Sequence, residues 1–245
     1  MRLLQWNIWY EEDIKNILKV LKDIQADIIC LQELTVNHKR HEVNTAQYLA
    51  DELGFNFFFK ESQTDITEGR TSSFGNSIFT RYPILKSNFE YIQEPRQPEI
   101  GLSDYSQEGR VYIESAIQIP DRILGIGTVH MSYTDKFLPT PEKEAETNVL
   151  IDILKEKKHT FLLTGDLNSL PGSYTIQEIM RYLKNVGPAL EEKTWTTKPF
   201  SYKGFDANTL DWRLDYCFAT PDIIIKSAQI VDTTYSDHLP ILLEF

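Results

Sequence analysis

Apolar and polar residues alternate over residues 3–8, with Leu4, Trp6 and Ile8 on one face and Gln5 and Asn7 on the other, a period that predicts a strand. Ile14, Ile17, Leu18, Leu21 and Ile24 then fall on one stripe of a helix. Residues 27–32 form a short apolar run, expected as a strand covered on both faces. A second helix fits residues 44–53, with Ala46, Leu49, Ala50 and Leu53 inward. The middle is strand-rich: residues 55–60, 75–81, 111–119 and 122–130 read as strands, and Pro120-Asp121 is a tight turn that makes the last two a hairpin. Pro141 suits the first turn of a helix whose inward side is expected at Ala145, Val149, Ile153 and Leu154. Residues 160–165 read as a strand. Ser173 reads as the cap of a helix facing inward through Ile176, Ile179, Met180 and Leu183, and residues 214–219, 223–231 and 240–245 as three closing strands. Strands outnumber helices and do not alternate regularly with them. That predicts an α+β fold, strand-rich sheets packed together with helices outside. Each half has a strand ending in polar residues, then a helix, then further strands, a loose internal likeness.

Composition narrows the setting. The 245 residues are 41% hydrophobic and 25% charged, a globular balance with no linker-like or low-complexity tract. At roughly 150 residues per domain, length alone admits one large domain or two small ones. Lys and Arg number 25 against 36 Asp and Glu, a net charge of −11. Strong non-specific DNA binding is therefore not expected, because phosphate neutralisation needs clustered cations; a local basic groove remains open. No apolar run reaches the roughly 18 residues of a membrane-spanning helix, and because the first residues have one Arg and no long apolar stretch, a secretory signal is not expected. The two cysteines, Cys30 and Cys217, lie inside apolar runs, so a cytoplasmic location is the expectation. No feature specifies an oligomeric state.

Chemistry concentrates at strand ends. Asn7 follows the first strand, Glu33 the second, His130 the fourth of the middle strands, and Asp166 and Asn168 the strand at 160–165; Asp215 lies beside Leu214, and Asp237-His238 precede the last strand. Strand ends meeting at one rim can gather several carboxylates, amides and imidazoles on a rigid scaffold. That mixture suits phosphoester hydrolysis. A hard divalent cation such as Mg²⁺ takes oxygen ligands, which Glu33 with Asn7 nearby can supply. A carboxylate such as Asp166 can orient and deprotonate water. An Asn amide and a cationic His can hold the charge that builds on the phosphorus oxygens. Each residue also has an ordinary structural use. A single Asp at a strand end is usually a turn former or cap, a lone His130 a satisfied core histidine, and Trp195, Trp212 and Phe205 packing residues.

Taken together, Gln5-Trp6-Asn7, Leu31-Gln32-Glu33, Gly75-Asn76-Ser77, Thr128-Val129-His130, Gly165-Asp166-Leu167-Asn168, Arg213-Leu214-Asp215-Tyr216 and Ser236-Asp237-His238 resemble the endonuclease/exonuclease/phosphatase family in order and spacing. The resemblance runs from residue 5 to residue 238. It implies a four-layer α/β/β/α sandwich of two packed, mainly antiparallel sheets with related halves, filling residues 1–245 as one domain. It also implies a hydrolase of phosphoester bonds dependent on Mg²⁺ or Mn²⁺. By position, Glu33, Asn7 and Asp237 are the metal-side residues. Asp166 aligns or activates the attacking water, Asn168 steadies the transition state and that aspartate, His238 contacts the scissile phosphate and Asp215 orients that histidine. His130 matches a position that touches phosphate or aids proton transfer, and Asn76 a supporting amide whose alternative is a turn residue.

The branch within the family is less specified. Gln107-Glu108-Gly109-Arg110-Val111 is similar to apurinic-site endonucleases, and Asn168-Ser169-Leu170-Pro171-Gly172-Ser173 to deadenylases and many bacterial members. Ser169-Leu170 stands where inositol-phosphate phosphatases usually have Tyr-Arg, which disfavours that branch. The basic loop His38-Lys39-Arg40-His41 is a candidate for steering a phosphorylated ligand, with Arg110 as a substrate-binding residue and Arg70 and Lys203 in the same role. The expected partner is a phosphorylated substrate: a nucleic-acid end, a nucleotide or a small phosphoester. The alternative is a catalytically silent phospho-ligand binding module of the same fold. Specificity is expected in the loops at 37–44, 62–73, 92–108 and 197–210.

Overall fold

The opening alternation forms β1 (Arg2–Asn7), which runs into α1 (Ile14–Ile24), capped by Asp13 accepting from the Lys15 N–H, and returns as β2 (Ile28–Val36). A computed structural model describes residues 1–67, 69–96, 104–158 and 160–245. Asn44 caps α2 (Thr45–Leu53), which ends at Gly54 in the left-handed conformation. There follow β3 (Asn56–Thr67), β4 (Arg70–Thr80), β5 (Ile84–Gln93), β6 (Arg110–Ile119) and β7 (Arg122–His130). Thr140 caps α3 (Pro141–Leu154), with Pro141 in its first turn where no N–H is needed. The chain continues with β8 (Phe161–Asp166), α4 (Tyr174–Met180, capped by Ser173), β9 (Lys184–Asn185), β10 (Phe200–Tyr202), β11 (Phe205–Ala207), β12 (Asp215–Ala219), β13 (Ser227–Ile230) and β14 (Ile241–Glu244).

Among the described residues the strands form two six-stranded sheets, ordered β13-β14-β1-β2-β4-β3 and β5-β6-β7-β8-β12-β9, and a hairpin β10-β11. The parallel pairs are β1/β2 and β7/β8, each joined through a helix; the other pairings are antiparallel. Read in order, both sheets run antiparallel, antiparallel, parallel, antiparallel, antiparallel. The expected kinship of the two halves is thus present in the strand directions.

Three apolar layers hold the sandwich. Leu4, Trp6, Leu31 and Phe79 pack on α1 and α2; Leu3, Cys30, Ile78, Ile126, Leu162 and Cys217 fill the space between the sheets; Val129, Leu163, Tyr216 and Phe218 pack on α3 and α4. Each aliphatic side chain so buried contributes roughly 1.5–3 kcal/mol. The order is α/β/β/α, as expected. The polar side of β1 does not face water. Gln5 and Gln32 bond to each other between the sheets, and Gln32 Nε2 donates to Thr128 Oγ1 at 2.9 Å, a buried polar seam under the rim.

Several expectations are corrected. Residues 62–67 and 70–73 are no loop but belong to the paired arms of β3 and β4, whose register runs from Asn56↔Thr80 to Thr67↔Arg70. Their polar sequence hides a strand because one face of that arm has little core to meet. β5 was not expected because it is a mostly exposed edge with weak alternation. The strand at 223–231 shortens to Ser227–Ile230. The loop at 197–210 contains the β10-β11 hairpin. Residues 97–103 of the loop at 92–108 lie outside the described residues. Met180 is exposed. On α3, Ala145 is exposed and the inward face is Lys143, Glu146, Thr147, Leu150, Ile151 and Leu154. The first half of the helix buries polar groups, which an apolar stripe does not reveal.

Candidate functional site

The C-terminal ends of β1, β2, β7 and β8 meet at one rim, because both parallel pairs deliver their last residues to the same side of the sandwich. β12 is antiparallel to β8, so its first residue, Asp215, stands opposite Asp166 at that rim, and His130 pairs with Asp166 across β7 and β8. A close approach enables this last pairing: a Cβ on Gly165 would lie 2.2 Å from the Val129 carbonyl oxygen. Glu33 reaches the rim through a bulge. The β2–β4 register shifts between Leu31 and Leu34, and Glu33 adopts φ 64°, a left-handed value uncommon for Glu. The shift returns Leu34 to the helix-side core while Glu33 lines a cleft of about 800 Å³.

At the floor of the cleft the predicted residues converge. Asn7 Nδ2 donates to Glu33 Oε1 at 2.9 Å and to Asp166 Oδ2 at 3.1 Å. Asp166 Oδ1 accepts from the Asn168 N–H at 2.9 Å. His238 Nδ1 lies 2.8 Å from Asp215 Oδ2, and its Nε2 lies 3.5 Å from Asp166 Oδ2. His130 Nε2 is 3.5 Å from the same Asp166 oxygen and 3.2 Å from Asn168 Nδ2. The Asn168 amide also donates to the Met131 carbonyl at 3.0 Å. Ser236 Oγ holds the turn that carries His238, donating to the Asn7 carbonyl and accepting from the His238 N–H.

The two histidines differ in charge. Burial opposes charge on His238, but Asp215, Asp166 and Asp237 outweigh it and carry the imidazole well above its ordinary value, so it is a cation at neutral pH. His130 is pushed well below, first by burial and then by Arg110, His238 and Lys143, and is neutral. With Asn168 Nδ2 as donor, His130 Nε2 accepts and its proton sits on Nδ1. Burial, opposed by His238 and reinforced by Asp215, raises Asp166 to about 6. Burial and the neighbouring Asp237 charge push Glu33 up to about 7.

The cluster of Asp166, Asp215 and His238 lies within 4.8 Å. Its hydrogen bonds make it a cation held between carboxylates rather than a set of metal ligands. The oxygen donors that fit a hard cation are Glu33 and Asp237, two carboxylates of which Asp237 raises the cost of ionising Glu33, and neither pairs with Lys or Arg among the described residues. Asn7 stands beside them with its Oδ1 taken by the Trp9 N–H at 3.1 Å, so holding a cation through oxygen needs the amide to turn over.

Other candidates fall differently. Asn76 is buried inside β4, not in a turn, and its Nδ2 donates to the Val111 carbonyl at 2.8 Å, tying the two sheets together beside the cleft. Arg110 lines the cleft and donates to Glu108 Oε2 at 3.0 Å and to the Tyr105 carbonyl. In the basic loop, His38 and Lys39 line the cleft, whereas Arg40 Nε donates to the Glu11 carbonyl and His41 Nε2 contacts the Glu12 carbonyl. Arg70 lines the cleft and pairs with Glu42; Lys203 pairs with Asp104 beside a separate, smaller cavity.

Sequence reasoning missed three participants. The Tyr10 N–H donates to Glu33 Oε2 at 3.0 Å, and its hydroxyl shares a hydrogen bond with Tyr105. Trp195 Nε1 donates to Asp237 Oδ2 at 2.9 Å, fixing that carboxylate. Lys143 reaches the backbone beneath the site. None carries a motif, and the one available signal was a charged residue within a helix expected to pack.

A model of the Endonuclease/Exonuclease/phosphatase family matches residues 4–238. The Exodeoxyribonuclease of Bacillus subtilis (strain 168) is 22% identical over 277 aligned positions, covering 98% of each chain. The endonuclease/exonuclease/phosphatase from Beutenbergia cavernae DSM 12333 has a TM-score of 0.78 at 19% identity, covering 99% of this chain and 70% of that one. A mannosyl-6-phosphatase from Bacteroides thetaiotaomicron VPI-5482 has a TM-score of 0.70 at 14% identity, covering 100% and 98%. At such identities the structural likeness establishes the fold, while the family match spans all the strand ends that build the rim. The chain belongs to the endonuclease/exonuclease/phosphatase family, a family of hydrolases acting on phosphoesters.

Proposed function

We propose that the protein is a Mg²⁺- or Mn²⁺-dependent hydrolase of a phosphorylated substrate, acting by in-line attack of water on phosphorus without a covalent intermediate. The observation that carries this is the buried His238 ring, held by Asp215 at 2.8 Å and facing a cleft that also holds Asp166. Its Nε2–H is only 3.5 Å from Asp166, loose enough for a phosphate oxygen to take the proton donor over. There it stabilises the charge that builds on the equatorial oxygens. Asp166, fixed through Oδ1 by the Asn168 N–H, presents Oδ2 to the cleft and accepts the proton of the attacking water. Neutral His130 keeps the Asn168 amide in place and adds no cation that would compete with His238. Glu33 and Asp237, with Asn7 beside them, would hold the divalent cation. When bound it neutralises phosphate charge and stabilises the leaving oxygen. Arg110 and Lys39 line the cleft and serve the substrate's remaining charge.

No helix of the described residues is long and apolar enough to cross a membrane, and both cysteines are free and buried; we place the protein's work in the cytoplasm. Hydrolysis of bis-p-nitrophenyl phosphate and p-nitrophenyl phosphate with Mg²⁺, Mn²⁺ or EDTA tests the proposal. The expected result is turnover with either metal that EDTA abolishes. Turnover of the diester alone makes it a phosphodiesterase or nuclease. No turnover with any metal would overturn the proposal in favour of a silent phospho-ligand binding module.

A further inference from the structure

Lys143 is a costly residue where it stands. It is 4% exposed, and a buried ammonium loses its hydration. It also lies in the first turn of α3, where the helix dipole disfavours a cation. Its partner on the next turn, Glu146, is 2% exposed, and Glu146 Oε1 has no hydrogen-bond partner among the described residues. Two unfavourable placements side by side on one helix face call for a gain elsewhere.

The gain lies in what they grip. Lys143 Nζ donates to the Ser132 carbonyl and to the Leu167 carbonyl, each at 2.7 Å. Glu146 Oε2 accepts from the Ser132 N–H at 3.1 Å. Ser132 lies two residues after His130, and Leu167 lies between Asp166 and Asn168. The paired register of β7 and β8 ends at His130↔Asp166. Beyond it the two segments separate, joined by the Met131 N–H to the Asp166 carbonyl and the Asn168 amide to the Met131 carbonyl. The Asn168 amide also meets His130 Nε2, and Lys143 adds a charged tie across the same gap.

We propose that Lys143 and Glu146 are positioning residues that set the distance between the His130 segment and the Asp166–Asn168 segment. This rests on the hydrolase reading of the site. They act through Ser132 and Leu167 rather than on the reacting atoms. Lys143 remains protonated at neutral pH. Burial lowers it to about 8, with Glu146 and then Asp166 opposing the fall.

The test compares Lys143→Met, which keeps length and packing, with wild type in steady-state kinetics on bis-p-nitrophenyl phosphate and in side-chain ¹⁵N spectra of the metal-free protein. A displacement of about 1 Å in such a segment costs up to about 100-fold, so kcat is expected to fall about 10- to 100-fold. KM is expected to stay within about threefold of wild type, since binding groups are untouched. The His130 ring and Asn168 amide resonances are expected to move, and those of His238 to stay. A lower melting temperature with unchanged kcat and unmoved His130 and Asn168 signals would overturn the proposal and leave a purely structural lysine. If Lys143→Met does not fold, Glu146→Gln, which keeps shape and loses charge, carries the same readouts. Its expected loss in kcat is about 3- to 10-fold. Absence of turnover in wild type would remove the hydrolase reading, whereas the spectra judge the clamp by themselves.

Discussion

Replacing Asp166 with asparagine is expected to lower turnover at pH 7 by at least about 100-fold, the usual scale for losing a positioned base. The amide keeps the shape of the carboxylate and its oxygen can still accept from the Asn168 N–H; its NH₂ then faces the Asn7 Nδ2 donor, so the Asn7 amide turns over while the backbone around it stays in place. What is lost is the charge that accepts a proton from water. The same substitution is expected not to lower the melting temperature in EDTA. Asp166 is 1% exposed, and its carboxyl is raised to about 6, above the ordinary 3.8, first by burial. An acid whose folded value lies above its unfolded value loses stability as pH rises through that interval, so the ionised group costs roughly 3 kcal/mol at pH 7. Removing the charge removes that cost. Circular dichroism melts and initial rates on one preparation decide the matter. Near-wild-type turnover, or a large fall in stability, would contradict the role.

His238→Ala is expected to match that loss of activity, at least about 100-fold, for a different reason: the cation facing the phosphate is gone. Here stability falls too. Asp215 is fully buried and loses its partner at 2.8 Å, a cost on the order of 3–5 kcal/mol. Rates are therefore read well below the melting temperature. The histidine's pH signature has a fixed sign. Its folded value is raised above the unfolded one, so its stabilisation is fully present below about pH 6.5 and is lost as pH rises through the raised folded value. In Asp215→Asn that loss moves to lower pH. A melting temperature whose pH dependence is the same in wild type and Asp215→Asn would show that the pair does not hold the proton.

The chain made the rim readable because its strands end abruptly in polar residues. Asn7, Glu33, His130, Asp166 and His238 each follow or precede a run of apolar side chains, and the fold brings these ends together by the direction of two parallel pairs. Helix starts were equally plain at Asn44, Pro141 and Ser173. Three kinds of information were not legible. An exposed edge strand such as β5 has little core to pattern it. Backbone donors such as the Tyr10 N–H are invisible to residue type. Lys143 broke the apolar stripe of α3 and so shifted the expected face, although that break was itself the sign of a buried polar contact. Asn76 shows the reverse: its motif was legible, but its amide nitrogen serves a backbone carbonyl of the other sheet.

The proposed hydrolysis needs a divalent cation held by Glu33 and Asp237 beside Asp166 and His238. Titrating Mn²⁺ into wild type and Glu33→Gln, with the free ion followed by electron paramagnetic resonance, tests it without relying on any substrate. Binding is expected to be saturable in wild type and to weaken at least about tenfold in the variant, because a hard cation loses a carboxylate ligand. Equal Mn²⁺ affinity in the two proteins would contradict it.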